Sequence, residues 1–247
     1  MSLEKLLNRE VEDVGTNRIV YKLDDPISRG VSLVGSLPTR AILLSWDVCN
    51  LPREYTQEEV KDYVTRSGLE NTTVRMGHTS IIKDTLRLFY DKKLKGVSYL
   101  GRIIFGLPTT VIGGLYSKLT RSNHYNPFTR TAHIYADVLA VALHELGHAK
   151  DFQNRKYPTL YALARAIPFF PLYQEFKASK IADKALPESE KGQTGRYLFP
   201  AFATYGSNAF VLPLIPAVAA GHIIGNLYRA TRYIANKIKS YFKNPRR

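Results

Sequence analysis

Two histidines and a glutamate stand close together in VALHELGHAK, residues 141–150: they are His144, Glu145 and His148. On a helix, residues four apart lie one turn apart on the same face, so the two imidazoles can point at one place. Neutral imidazole nitrogen is a good zinc ligand. Glu145 is rotated by about 100° from His144, so it can miss the metal and still reach a water bound to it. The pattern predicts a zinc site with Glu145 as general base.

A catalytic zinc usually has three protein ligands and one open position, so the chain must supply a third ligand. The segment PLYQEFKASKIADKAL, residues 171–186, favours a helix, because Pro171 suits a first helical turn. Glu175 is the preferred ligand on this helix, because small residues on its face allow close packing against the histidine helix. Asp183 and Glu188 stay open as alternatives. The prediction is one zinc ion per chain.

Residues 144–148 match the HExxH signature of the zincin metallopeptidases. The string EFKAS, residues 175–179, resembles the E-[FY]-x-A-D segment of the gluzincin group. It is most similar to the membrane-embedded CAAX-processing and protein quality-control peptidases. The resemblance covers roughly residues 125–185 and implies that Glu175 is the third zinc ligand. It also implies that the strand TAHIY, residues 131–135, is the edge strand that holds a substrate backbone by β-addition.

The chain departs from this family at Ser179, where the family has an aspartate that hydrogen-bonds a zinc-binding histidine. Serine can still accept that hydrogen bond but brings no charge, so the histidine should be less basic. Zincins often use a downstream His, Tyr or Arg to stabilise the tetrahedral oxyanion. His222, Tyr205 and Tyr197 are the candidates, and the sequence does not choose among them.

The surrounding elements predict an α+β fold of zincin type, with a small mixed sheet, an edge strand beside the active-site helix, and a helical C-terminal region. Short apolar or β-branched runs favour strands: AILLSWDV (41–48), TTVRMG (72–77) and RTAHIY (130–135). Helical spacing and capping residues favour helices: TQEEVKDYVTRSG (56–68), SIIKDTLRLFYDKKL (80–94) and VLAVALHELGHAKDFQN (138–154).

Local patterns add three further predictions. Apolar residues at helical spacing favour a short amphipathic helix over residues 3–14. Asp137 is expected to cap the helix that carries the histidines. The uncharged stretch 103–117 contains a proline and a glycine pair, which predict a break within it. That stretch either packs in the core or dips into a membrane interface.

The composition limits the class of protein. With 45% hydrophobic residues the chain can bury a real core, and Cys49, its single cysteine, excludes an intrachain disulfide and a cysteine-built zinc site. The net charge is +14, and residues 229–247 carry seven basic residues and no acidic one. These basic residues cluster beside an apolar run instead of interleaving with exposed aromatics, so a nucleic-acid partner is unlikely on the sequence pattern.

Residues 197–228 contain no Asp, Glu, Lys or Arg. This uncharged segment is longer than the roughly 20 residues that a membrane helix needs. Prolines and glycines interrupt the run, so a helical hairpin, a broken span and a buried helical pair stay open. Because the basic tail follows directly, we expect membrane association with the tail on the cytoplasmic side; the alternative is a soluble cytoplasmic protein. The N-terminus is not a secretory signal, so secretion is not expected.

Three regions are predicted: an N-terminal segment (1–34), a zincin-like metallopeptidase domain (35–196), and an apolar helical segment with a basic tail (197–247). The predicted function is zinc-dependent hydrolysis of peptide bonds in a peptide or protein substrate. The alternative is a non-catalytic, membrane-associated binding or scaffold protein that has a structural or vestigial zinc site.

Overall fold

A computed structural model describes the backbone of residues 11–22, 26–91, 94, 97–167, 169–210 and 214–243. Within these ranges five strands form one mixed sheet, and helices make up most of the remaining structure. The predicted α+β class with a small mixed sheet is therefore confirmed.

The strands of the sheet are β1 (Val11–Val14), β2 (Asn17–Tyr21), β3 (Thr73–Met76), β4 (His124–Asn126) and β5 (Thr131–Ile134). Their order across the sheet is β1-β2-β3-β5-β4. The inner pairs β2–β3 and β3–β5 are parallel, and the outer pairs β1–β2 and β4–β5 are antiparallel. Strands from residues 11–21 and from residues 73–134 thus share one sheet.

The prediction that TAHIY forms the edge strand is wrong, because β5 is hydrogen-bonded on both sides, to β3 and to β4. All residues of β5 are buried, as expected for an interior strand. The edge strand on this side of the sheet is β4, in which Tyr125 pairs with Ala132. With three residues, β4 is too short to show a strand pattern in the sequence.

The helices are α1 (Pro26–Gly35), α2 (Leu37–Leu43), α3 (Glu54–Arg66), α4 (Ile81–Tyr90), α5 (Leu107–Thr120), α6 (Leu139–Gln153), α7 (Pro158–Leu163), α8 (Phe170–Ala185), α9 (Phe199–Phe210) and α10 (Leu214–Lys243). Short helical turns connect them at Asp47–Cys49, Tyr99–Gly101, Ala164–Ala166 and Glu188–Glu190, and two π-helical turns lie at Arg102–Gly106 and Thr194–Leu198. The helices predicted over residues 56–68, 80–94 and 138–154 are confirmed as α3, α4 and α6.

The strand predicted over AILLSWDV is wrong. Its first residues belong to α2, Leu44 adopts a left-handed conformation with φ 48°, and a 3₁₀ turn follows. The buried guanidinium of Arg40 explains the fold-back, because it donates hydrogen bonds to the carbonyls of Trp46 (2.7 Å) and Cys49 (3.1 Å). A side chain outside the apolar run therefore decides the conformation of this segment.

Three other local predictions also fail. Val11–Val14 form β1, not a helix, while the rest of the predicted N-terminal helix lies outside the described residues. Asp137 does not cap α6; its Oδ1 accepts hydrogen bonds from the Arg53 N–H and the Thr56 hydroxyl near the start of α3. The glycine pair does not break 103–117, since α5 runs continuously through Gly114.

Glycine serves packing in α5, because a Cβ on Gly114 would lie 2.9 Å from Cγ1 of Ile81 in α4. One face of α5 is buried through Thr110, Gly114 and Ser117, while Ile112 on another face is exposed. The stretch 103–117 therefore packs against the core along one side only.

The main core lies between the sheet and α6. Ile19, Val74 and Ile134 from the strands meet apolar residues of α6 that are almost fully buried. Because α6 is covered by the sheet on one side and by α8 on another, twelve of its residues are buried. This packing fixes the helix that carries the HELGH motif.

The uncharged segment 197–228 is divided between a π-helical turn and two helices, α9 and the first half of α10, that pack on each other. Glycines allow the close approach: a Cβ on Gly221 would lie 2.9 Å from Cα of Pro200. The twelve residues of α9 extend for about 18 Å, against a bilayer core of about 30 Å. Within the described ranges, no helix combines the length and the apolar character needed to cross a bilayer. This finding contradicts the predicted membrane localisation.

Candidate metal centre

His144 and His148 lie one turn apart on α6, as their spacing predicts. Their ring centroids are 4.7 Å apart and the rings are nearly perpendicular, at 84°. Both side chains are largely shielded from solvent, with 12% and 6% of their surfaces exposed. The two Nε2 atoms therefore face the same small region between α6 and α8.

Glu175 of α8 completes this group. Its Oε2 lies 3.0 Å from Nε2 of His144 and 3.3 Å from Nε2 of His148. One ligand atom from each of the three residues lies within 4.8 Å of the others, so the cluster could hold a metal ion. The structure thus brings together all three residues that the sequence predicts as ligands.

A close approach of α8 to α6 makes this convergence possible. A Cβ on Gly147 would lie 2.5 Å from the backbone oxygen of Ala178, which is too close for any other residue without a shift of one helix. Gly147 therefore allows the backbone of α8 to cross α6 between the two histidines and directly beside Glu175.

The two alternative third ligands have other roles. Asp183 accepts hydrogen bonds from Thr194, Tyr228 and Arg232, and so ties the C-terminal helix to α8. Glu188 is exposed and pairs with Lys191. Neither carboxylate belongs to the His144–His148–Glu175 cluster.

Two side chains hold the outer atoms of the cluster. The Ser179 hydroxyl lies 3.2 Å from Nδ1 of His144, where the resembled family has an aspartate. Arg165 donates from Nη2 to the second oxygen of Glu175, Oε1, over 3.0 Å. Nδ1 of His148 is buried and has no hydrogen-bond partner among the residues the structure describes. The cluster is therefore fixed at Glu175 and His144, and less so at His148.

Charge and burial set the protonation of the cluster. Burial acts to raise the pKa of Glu175, but His148 and His144 outweigh it and hold that pKa well below its usual range. Burial lowers the pKa of His148. For His144 burial also acts downward, but the hydrogen bond and charge of Glu175 outweigh it and the pKa is raised. Glu175 is thus ionised, as a metal ligand must be.

Glu145 is the buried acid next to these ligands, with 7% of the residue exposed. Burial raises its pKa to about 7, and the charge of Glu175 adds to the effect. The backbone of Tyr125 in β4 acts in the opposite direction and lowers that pKa. Glu145 and Tyr125 line the same cavity, so the edge strand β4 lies close to Glu145.

The cluster opens into a cavity of about 870 Å³. Most of its walls are apolar, and the edge strand contributes His124 and Tyr125. Of the three predicted oxyanion donors, Tyr205 and Tyr197 line the cavity. His222 does not; its Nε2 donates to the carbonyl oxygen of Ile42. Tyr197 is 6% exposed and belongs to the core, whereas Tyr205 is 36% exposed.

Tyr205 is electrostatically close to the cluster. The negative charge of Glu175, then burial, then the charge of Glu145 raise the pKa of its phenol above the ordinary value. Its hydroxyl therefore stays protonated at neutral pH and can donate a hydrogen bond.

Comparison of the chain with protein-family models, with curated proteins and with solved structures finds no match. The case for a function therefore depends on the geometry of the site.

Sequence reasoning missed two components of this site. Arg165 gives no signal in the sequence, because it reaches Glu175 across a short 3₁₀ turn that carries no recognisable pattern. Strand β4 gives only one signal, the turn pair Asn126-Pro127 at its end, which could have indicated a hairpin with β5.

Proposed function

We propose that this protein is a zinc-dependent metallopeptidase. The observation that carries the proposal is the convergence of His144, His148 and Glu175 beside the buried Glu145, at the wall of a large cavity. Two imidazole nitrogens and one carboxylate oxygen are a donor set that catalytic zinc uses. The ionised state of Glu175 agrees with its role as a metal ligand.

The edge strand supports a peptide as substrate. Among the described strands β4 pairs with β5 only, and its residues His124 and Tyr125 line the cavity together with Glu145. An extended peptide can add to such an edge through backbone hydrogen bonds. Apolar walls around it then contact the substrate side chains. We infer that the scissile carbonyl lies above the three ligands.

A bound zinc ion would supply Lewis acidity, which acidifies water and polarises the scissile carbonyl. Glu145 accepts a proton from the attacking water and passes it to the leaving amine. Its raised pKa, about 7, suits a group that takes up and releases a proton near neutral pH. Tyr205 is the candidate donor to the developing oxyanion, because it lines the cavity close to Glu175 and Glu145.

A binding protein with a structural or vestigial zinc site is the second candidate function. Ser179 favours it, because a neutral hydroxyl stands where the resembled peptidases have a carboxylate on the histidine. Both candidate functions require the metal, so only a measurement of peptide cleavage distinguishes them.

The first experiment is elemental analysis of the purified protein, with His148→Ala and His222→Ala as a matched pair. We expect about one zinc per chain in the wild type and in His222→Ala, and none in His148→Ala. Zinc in neither the wild type nor a zinc-supplemented sample would refute the metal site.

The second experiment compares the wild type with Glu145→Gln on a fluorogenic peptide library. Glu145→Gln should keep zinc and lose at least about 100-fold in rate. A wild type that holds zinc and cleaves no peptide would favour the binding protein, and full activity in Glu145→Gln would refute the base.

A further inference from the structure

Arg165 lies at the metal cluster without being one of its predicted ligands. It belongs to the 3₁₀ turn Ala164–Ala166 between α7 and α8, and its side chain lines the cavity. Nη2 donates to Oε1 of Glu175 over 3.0 Å. Its side chain remains 37% exposed. Part of the guanidinium therefore faces the cavity while one nitrogen is held by Glu175.

The hydrogen-bonding capacity of Arg165 exceeds what the fold uses. A guanidinium has five N–H donors in a planar fork that matches a carboxylate. Within the part of the chain that the structure describes, Glu175 is its hydrogen-bond partner. This single contact positions the side chain and leaves donors on the cavity side for another acceptor.

The charges around the cavity favour an anionic ligand at this point. Among the described residues that line the cavity, Arg165 is the single basic side chain other than histidine, and Glu145 and Glu175 are the acidic ones. A bound divalent metal would add two positive charges to the charges of Glu145, Glu175 and Arg165. The loaded site then carries about one excess positive charge with Glu145 ionised, and more with Glu145 protonated.

We propose that Arg165 binds a carboxylate of the substrate, so that the site prefers peptides with an anionic group beside the scissile bond. This inference rests on the proposed peptidase function. The carboxylate comes either from a free peptide C-terminus or from an Asp or Glu side chain, since both present the same two oxygens to the fork. The first source would make the protein a carboxypeptidase, the second an endopeptidase with acidic specificity.

The test measures binding, so that it does not depend on turnover. Zinc-loaded Glu145→Gln protein is titrated with four fluorescent peptides of one apolar sequence. Two differ only in a C-terminal acid or amide, and two amidated peptides differ only in an internal Glu or Gln. We expect one acid to bind about 10-fold to 100-fold tighter than its neutral partner, as for a charged hydrogen bond.

Three substitutions in the same background identify the residue. Arg165→Met should reduce the acid-to-neutral ratio to about one, and Arg165→Lys should leave an intermediate ratio because charge remains without the fork. Lys177→Met is the control, since Lys177 lies on α8 with Glu175 but its amine sits over the Tyr173 ring and it does not line the cavity. Its ratio should equal that of the parent.

The inference is overturned if none of the four peptides binds, if neither acid is preferred, or if the preference survives Arg165→Met. If Arg165→Met does not fold, Arg165→Lys serves instead. An unchanged acid-to-neutral binding ratio in Arg165→Lys would overturn bidentate binding of the substrate carboxylate. Failure of the proposed function looks different: the acid preference is present and depends on Arg165, yet the wild type cleaves none of the peptides.

Discussion

Gly147 offers the sharpest test of how the two ligand-bearing helices are held together. In most helices Gly→Ala stabilises the fold by about 1 kcal/mol, because alanine has the better helix propensity. Here the new Cβ would lie 2.5 Å from the Ala178 carbonyl oxygen and 3.1 Å from the Ala178 Cα, both in the backbone of α8. We therefore expect Gly147→Ala to destabilise the protein.

The expected size follows from this contact. Backbone cannot rotate away as a flexible side chain does, so α8 must move by at least about half an ångström, and such overpacking costs about 1–3 kcal/mol. After the gain in helix propensity, the net loss is at most about 2 kcal/mol. The same shift carries Glu175 away from the two histidines. We expect zinc affinity to fall about 10-fold, which corresponds to about 1.4 kcal/mol.

The assay is urea unfolding of the metal-free protein together with zinc titration against a competing chelator. Gly30→Ala is the matched control, because Gly30 also lies inside a helix, α1, and a Cβ there meets nothing within 4 Å. It should gain stability and keep its zinc affinity. If Gly147→Ala proves as stable as Gly30→Ala and binds zinc like the wild type, the close approach does not set the site.

Three further predictions address single groups. Ser179→Ala removes the hydrogen bond to Nδ1 of His144 and should weaken zinc binding about 10-fold in a chelator competition; an unchanged affinity would show that the serine does not orient the ring. Tyr205→Phe should lower kcat about 100-fold at constant zinc content, with Tyr197→Phe as the milder control, and equal effects would remove Tyr205 as the oxyanion donor. Burial lowers the pKa of His78 to about 3, so below about pH 6.5 the unfolded chain takes up a proton that the folded chain refuses. On acidification, the free energy of unfolding measured with urea should therefore fall by up to about 1.4 kcal/mol per pH unit because of this group. His78→Asn should make that pH dependence less steep.

The parts of the site that the sequence predicts are those encoded within a few residues. The four-residue spacing of His144 and His148 fixes their common face on any helix, and the apolar residues around them favour a buried helix. Glu175 is found because its helix has small residues on the same face. Gly147 is costly in a helix interior, and the structure supplies the reason, because the backbone of Ala178 passes close to it.

The failed predictions share a physical cause, which is a contact between residues distant in sequence or a polar group that local patterns ignore. AILLSWDV has the composition of a buried strand, yet the hydrogen bonds of Arg40 to Trp46 and Cys49 fold it back. TAHIY has the pattern of a strand, but whether a strand lies at an edge depends on a partner, and β4 is three residues long.

The prediction that the uncharged segment associates with a membrane failed for a related reason. Hydropathy counts the absence of charge over 197–228, whereas the helices within it are set by prolines and by glycines that bring backbones together. Gly225 makes the point, because a Cβ there would overlap the carbonyl oxygen of Gly195, in the π-helical turn that leads into α9. Small residues and missing charges serve helix packing here, and the same composition is what a membrane segment uses. The absence of charge alone could not separate the two, but the helices do: α9 is too short to span a bilayer, and α10 is long enough but not apolar enough.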